Sequence, residues 1–132
     1  MRIEKLTTAL LLSITPVAAG CAAAAVAGAG AATGIYLTTR GAEGVVDGDL
    51  RTVTGRTEAV MRDLGLRVTE RKIEYDDNEV EFKAKTDDLD VSIDLEAESA
   101  RTTRVQVEAR RNLVEWDKDY AQMVIRRIVA KR

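Results

Sequence analysis

Strict alternation of apolar and polar residues is the feature of this chain that most restricts its fold. Three stretches in the C-terminal half have an apolar side chain or a threonine at every second position (Val80, Phe82, Ala84; Leu89, Val91, Ile93, Leu95; Thr103, Val105, Val107, Ala109). A period of two places alternate side chains on opposite faces of a strand. Sheets with one covered and one solvated face are typically antiparallel, so we expect antiparallel strands here.

The connection between the first two of these strands predicts their register. A two-residue turn at residues 87–88 pairs Phe82 with Ile93 on the apolar face and sets Lys85 opposite Asp90 on the polar face. Opposite charges directly across two strands stabilise the pairing. Because a slip of one residue would expose every apolar side chain, the pattern favours this register.

The second connection predicts a compensating ion pair. The first hairpin sets Glu81 opposite Asp94, and like charges at such positions are destabilising. A three-residue loop at residues 98–100 sets Arg104 opposite the same Asp94. We therefore expect Arg104 to offset the repulsion between Asp94 and Glu81.

Shorter segments complete the predicted sheet. A fourth strand begins at Leu66 and Val68, whereas Ile73 and Tyr75 fall out of phase with it. This change of phase predicts a bulge or an irregular connection. Residues 45–46 are predicted to form a short edge strand.

Two segments repeat apolar residues at the helical spacing i, i+3, i+4 and i+7. The first follows Asp49, a suitable N-terminal cap, and ends before Gly65; the second follows Asp117. Their apolar faces comprise Leu50, Val53, Thr57, Val60, Met61 and Leu64, and Ala121, Val124, Ile125, Ile128 and Val129. We therefore predict a two-layer α+β domain in which both helices pack on one face of a four-stranded antiparallel sheet.

The N-terminal part of the chain has a different composition, because no charged residue occurs between Lys5 and Arg40. Residues 1–5 (MRIEK) precede an apolar segment that runs from Leu6 to about Val17. A basic start, an apolar core and small residues after it are typical of a secretory signal. An apolar segment of about 12 residues is too short to span roughly 30 Å of hydrocarbon.

Residues 17–21, VAAGC, follow this apolar segment and resemble the lipobox of bacterial lipoproteins. Small side chains at Ala19 and Gly20 suit a peptidase that cleaves between Gly20 and Cys21, although Ala18 stands where leucine is commonest. The resemblance implies that Cys21 receives an S-diacylglycerol and, after cleavage, an N-acyl chain, so that membrane lipid is its partner. The alternative is that Cys21 is a small buried residue of a helix.

The residue after Cys21 bears on the location. In lipoproteins of Gram-negative bacteria, alanine rather than aspartate at this position, here Ala22, implies passage to the outer membrane, with the domain facing the periplasm. The inner membrane is the alternative. A further alternative is that residues 6–37 form one uncleaved transmembrane anchor.

Residues 22–39 are rich in alanine and glycine and allow two interpretations. The spacing of Gly30 and Gly34 would let two membrane helices approach closely and self-associate. Repeated glycine also destabilises a helix, which favours a flexible spacer. We divide the chain into a signal peptide (1–20), a lipidated spacer or membrane-associated helix (21–40) and an α+β domain (41–132).

Composition restricts the chemistry of this domain. The chain has no histidine and a single cysteine, and its net charge of −2 provides no basic surface for nucleic acid. The acidic segments at residues 76–79 and 87–90 lack the spacing of a calcium loop and suit turns. A row of carboxylates at Asp90, Asp94, Glu96 and Glu98 suits a solvated strand face, on which we expect little displacement of their pKa values. We predict no catalytic residue, metal or cofactor.

Two aromatic residues near the second helix, Trp116 and Tyr120, predict either core packing or a partner-binding patch. Together with the lipobox, the segments DLGLRVTERK (63–72) and MVIRRIVAKR (123–132) resemble a family of small, functionally uncharacterised bacterial lipoproteins. The resemblance implies a lipid-anchored envelope protein with a non-catalytic binding or structural domain and an envelope protein as partner. The alternatives are the uncleaved or self-associating membrane protein and, less favoured, an envelope hydrolase.

Overall fold

The computed structural model describes residues 32–132, which form one antiparallel sheet with two helices on the same face. In chain order the elements are β1 (Ala32–Leu37), β2 (Gly41–Asp47), α1 (Leu50–Asp63), β3 (Arg67–Glu74), a 3-10 turn (Tyr75–Asp77), β4 (Glu79–Lys85), β5 (Asp90–Ala97), β6 (Thr102–Arg110) and α2 (Lys118–Ala130). The strand order across the sheet is β1-β2-β6-β5-β4-β3. The predicted α+β class is confirmed, but the sheet has six strands and not four.

The strand β2 was predicted only as a short edge strand at residues 45–46, yet it pairs along its whole length with β6 in the interior of the sheet. Its inward positions are Ala42, Gly44 and Val46, two of which are too small to register as an apolar alternation. The α2 helix packs on this strand. A Cβ atom on Gly44 would make an ordinary contact with the Cγ2 of Ile125 at 3.6 Å, but it would lie only 3.2 Å from the carbonyl oxygen of Gly34 in the neighbouring strand β1.

Residues 32–37 form the edge strand β1, so this part of the segment predicted as spacer or membrane helix belongs to the sheet. Gly34 has a φ of +60° and lies at a bulge, where the register with β2 shifts between Thr33 and Ile35. Glycine adopts this left-handed conformation without steric cost. The bulge turns Ile35 toward the helices, where it packs against the core. Gly34 is therefore a bulge residue and not part of a helix-packing pair.

The predicted β4–β5 hairpin is confirmed. Phe82 pairs with Ile93 and Lys85 with Asp90, and the Thr86 N–H donates to the Leu89 carbonyl at 2.9 Å across the two-residue turn. The hairpin therefore has the register that its apolar alternation and turn residues predicted.

The predicted register between β5 and β6 is wrong by two residues. Asp94 lies opposite Gln106, and Arg104 lies opposite Glu96. The loop is longer than expected because the N–H groups of Glu98 and Ser99 both donate to the Thr102 carbonyl. A shift of two residues leaves every side chain on its original face, so the apolar pattern could not distinguish the two registers.

The strand β3 extends from Arg67 to Glu74 and pairs with β4. It contains a bulge between Val68 and Glu70, and the 3-10 turn after it ends at Asn78, whose φ is 60°. The expected change of phase in this region is therefore confirmed, as a bulge within a longer strand followed by an irregular turn.

Both helices begin where their capping residues predicted, and α1 also ends where Gly65 predicted. The Asp49 carboxylate accepts the Thr52 N–H at 2.8 Å, and the Asp117 carboxylate accepts the Tyr120 N–H at 2.9 Å. The α1 helix stops before Gly65, which has a φ of +68°. Both helices cover the inner face of the sheet, where the largest fully buried side chains include Phe82, Met61, Ile93, Leu95, Ile125 and Ile128.

Candidate functional site

The outer face of the sheet, opposite the helices, carries many charged side chains. Strand pairing orders these residues in rows across the sheet. One row, at the end where β6 finishes, comprises Arg67, Lys85, Asp90, Arg110 and Trp116. Near the other end a row comprises Glu74, Glu79, Glu96 and Arg104. The face therefore changes from net positive to net negative along the strands.

Trp116 reaches this face through a tight return after β6. The Asn112 side chain accepts the N–H groups of Val114 and Glu115, both at 3.0 Å, and closes the loop. The next residues pair with β6, because Trp116 forms a β-bridge with Arg110 and the Asp117 N–H donates to a carbonyl of β6. Directly paired residues share a face of a sheet, so Trp116 joins Arg110 on the outer face.

The environment of Trp116 differs from that of Tyr120. Trp116 is partly exposed, and the guanidinium of Arg40 lies 5.4 Å from the centre of its ring. A cation over the face of an aromatic ring is attracted to it, which stabilises this arrangement. Tyr120 packs against the hydrophobic core. Of the two sequence interpretations, the structure therefore favours a surface patch for Trp116 and core packing for Tyr120.

Trp116 forms one wall of a groove of about 440 Å³ on the outer face. Asp90 bridges two cations of this groove, with its carboxylate 3.4 Å from the Lys85 Nζ and 3.6 Å from Arg110. Ser92 lies on β5 next to Asp90, and the groove is also lined by Arg40, Thr69, Lys83 and Glu108. This volume lies within the usual range for small-molecule sites, and its lining combines an aromatic ring with paired charges.

An acidic cluster adjoins the groove and is centred on Asp94. Glu81 lies directly opposite Asp94 on β4, and Glu108 lies nearby on β6. Asp94 is exposed at the surface, but neighbouring side chains surround its carboxylate and remove part of its solvent. This partial desolvation, together with the negative charges of Glu81 and Glu108, raises the pKa of Asp94 to about 6. The expectation that this row of carboxylates would keep ordinary pKa values is therefore wrong for Asp94.

Asp94 lacks the predicted counter-charge because the observed register between β5 and β6 places Arg104 opposite Glu96. Arg104 instead makes ion pairs with Glu43, Glu96 and Glu98. The Lys83 ammonium lowers the pKa of Asp94 to some extent, but it is itself held by Glu70 at 3.2 Å and by Glu81 at 3.4 Å.

The described part of the chain provides charged, hydroxyl and aromatic groups suited to binding. Within residues 32–132, no three His, Cys, Asp or Glu side chains are placed to hold a metal ion. The acidic segments 76–79 and 87–90 form turns and strand ends, as their composition predicted. Of the residues singled out in the N-terminal segment, Gly20, Cys21 and Gly30 lie outside the described residues.

Comparison with known proteins places the chain in a family. A family model described as "Protein of unknown function (DUF3568)" matches residues 5–110, from the apolar N-terminal segment to the end of β6. The chain belongs to this family. The expected resemblance to an uncharacterised family is thus confirmed at that level. No curated protein matches the chain. None of the helices in the described residues has the length and hydropathy needed to cross a membrane.

Proposed function

We propose that this protein is a lipid-anchored component of a bacterial cell envelope, with a domain that binds a partner or ligand through the outer face of its sheet. The observation that carries the anchor is the sequence VAAGC at residues 17–21 immediately after an apolar segment. In this proposal Gly20 is the last residue removed, and Cys21 carries S-diacylglycerol and N-acyl chains. Two or three chains are needed for stable attachment, because one chain binds a membrane only marginally.

The position of β1 is compatible with such an anchor. Ala32, the first residue of β1, follows Cys21 by eleven residues. A chain of this length spans at most about 40 Å when fully extended. Ala32 pairs with Val46, which pairs with Thr103 near the start of β6. A chain that leads from Cys21 would therefore enter the sheet at the end opposite to Trp116, which is compatible with a groove that faces away from the membrane.

The outer face supports the binding part of the proposal. Its groove offers an aromatic wall, a hydroxyl and several cations, and the adjoining cluster offers a carboxylate that changes charge near pH 6. The face is solvated. On the basis of Ala22, the proposed location is the outer membrane, with the domain in the periplasm. Its proposed occupant is another envelope component, and we assign it no catalytic step.

Intact mass spectrometry of the membrane-extracted protein tests the anchor. We expect a chain that begins at Cys21 and is heavier by two or three acyl chains. The variant Cys21→Ala should remain unprocessed and unmodified, which provides the matched control. A wild-type protein that retains Met1 and an unmodified thiol would contradict the proposal and would favour an uncleaved single-pass membrane protein.

A further inference from the structure

The two edge strands of the sheet, β1 and β3, differ in their protection against pairing with another chain. Five of the eight residues of β3 (RVTERKIE) are charged, and the strand contains a bulge. Both features are common means by which proteins prevent pairing between sheet edges. The six residues of β1 (ATGIYL) include no charge, and within the described residues its outer edge has no partner strand. Its bulge at Gly34 leaves residues 35–37 in regular register with β2.

Exposed apolar side chains accompany this unprotected edge. Tyr36 is 55% exposed and Leu37 is 51% exposed. Leu37 lines a surface depression together with Trp116 and Arg111. The tip of the loop before α2 presents Leu113 and Val114, which are 87% and 86% exposed. Four of the large exposed apolar residues therefore lie on β1 or on the loop that contains Trp116.

The hairpin between β1 and β2 indicates which backbone groups of β1 face outward. The Thr38 N–H donates to the Gly41 carbonyl at 3.0 Å, so these two residues form a hydrogen-bonded pair. Hydrogen-bonded and non-hydrogen-bonded pairs alternate along antiparallel strands. The N–H and C=O groups of Leu37 and Ile35 therefore point away from β2 and are available to a further strand.

We propose that two copies of this chain pair antiparallel through β1 and join their sheets. With Tyr36 opposite its equivalent in the second copy, Ile35 of each chain faces Leu37 of the other. This single register uses all four outward groups of each strand segment and has the two-fold symmetry usual for dimers. A second copy fits this edge because an uncharged strand meets itself without repulsion, whereas a partner selected by charge would find no charged residue on β1.

Disulfide cross-linking of Tyr36→Cys tests this register. Residues in non-hydrogen-bonded antiparallel pairs have Cα atoms about 4.5 Å apart, within the range for disulfides. The full-length variant in detergent-solubilised membranes should form an oxidant-dependent dimer several-fold more efficiently than Lys72→Cys, which places an exposed cysteine on the outer face of the opposite edge strand. The parent chain measures any contribution of Cys21. A yield no higher than that of Lys72→Cys, or a product whose mass is not twice that of the chain, would overturn the proposal.

The substitution Leu37→Pro separates backbone pairing from side-chain contact. It removes an N–H that faces away from β2, and proline is tolerated at such edge positions. We expect it to reduce the cross-linking of Tyr36→Cys to the control level, while Leu37→Ala retains most of it and circular dichroism shows both variants folded. Undiminished cross-linking of a folded Leu37→Pro variant would refute the pairing.

The native mass of the protein in detergent tests the proposed dimer without the introduction of a cysteine or a proline. The parent should have twice the mass of Tyr36→Lys, because this variant places two like charges directly opposite each other. A monomeric parent would overturn the proposal.

Discussion

The substitution Asp94→Asn should stabilise the protein at neutral pH and have little effect in acid. In the folded protein, partial desolvation and the charges of Glu81 and Glu108 raise the pKa of Asp94 from its ordinary value of 3.8 to about 6. Between these two values the folded state binds more protons than the unfolded state, so the contribution of Asp94 to stability falls as pH rises from about 4 to about 6. Asparagine is neutral throughout and avoids this loss.

The size of the effect follows from the displacement of the pKa. Each pH unit corresponds to about 1.4 kcal/mol, so a displacement of about two units would be worth nearly 3 kcal/mol in a fully buried site. Asp94 remains open to solvent, which screens such interactions, and we therefore expect about 1 kcal/mol. For a domain of this size that gain raises the melting temperature by about 4–8 °C.

Thermal unfolding of parent and variant, followed by circular dichroism at pH 4 and pH 7.5, measures this difference. Comparison at each pH cancels the titration of the other carboxylates. The variant Asp117→Asn is the matched control, because the Tyr120 N–H and Arg111 lower the pKa of Asp117 and the expected effect at pH 7.5 is therefore a loss of stability. An Asp94→Asn variant whose stability relative to the parent is unchanged between pH 4 and 7.5, or that is less stable at pH 7.5, would refute the reasoning.

Three further predictions concern packing. In α1, a Cβ added at Gly55 would meet no atom within 4 Å apart from its chain neighbours and the nearby helix backbone, so Gly55→Ala should stabilise the fold by about 1 kcal/mol. In contrast, the Cβ of Gly41→Ala would overlap a carbonyl of β6, so this variant should lower the melting temperature in the same assay. Phe82→Ala empties a fully buried position and should cost about 3–5 kcal/mol in denaturant unfolding. Arg40→Ala should shift the emission of Trp116, the only tryptophan, to longer wavelength by exposing its ring; an unchanged spectrum would contradict the stacking.

Local patterns predict those parts of the fold in which the residue type itself indicates a buried face, a solvated face or a helix cap. Alternation assigned β4, β5 and β6 their inner and outer faces, and Asp49 and Asp117 marked the starts of both helices. The strand β2 escaped prediction because its inward positions include Ala42 and Gly44, and such small residues carry little hydrophobic signal. The strand β1 escaped because its composition also suits a spacer or a membrane helix.

The candidate site was harder to predict because it depends on contacts between distant residues. Trp116 joins the outer face only through its bridge to Arg110, which a loop closed by Asn112 makes possible. The pKa of Asp94 depends on the register between β5 and β6. The apolar pattern is compatible with two hairpin loops of different length, and therefore with two registers, so it could not predict which residue lies opposite Asp94. Lipidation at Cys21 rests on sequence alone and stays a prediction, since this residue lies outside the described part of the chain.

A final prediction tests the register and the electrostatics of the site together. Gln106 lies opposite Asp94, so Gln106→Arg should supply the counter-charge that Asp94 lacks. We expect a gain of about 0.2–1 kcal/mol at pH 7.5, as is usual for opposite charges across strands, and a lower pKa for Asp94. In the register predicted from sequence, position 106 would instead face Ser92. A double-mutant cycle with Asp94→Asn at pH 7.5 distinguishes the two, because the gain from Gln106→Arg should disappear when residue 94 is neutral. A gain that survives Asp94→Asn would mean that the arginine acts on another carboxylate of this acidic face, and it would refute the predicted pair between residue 106 and Asp94.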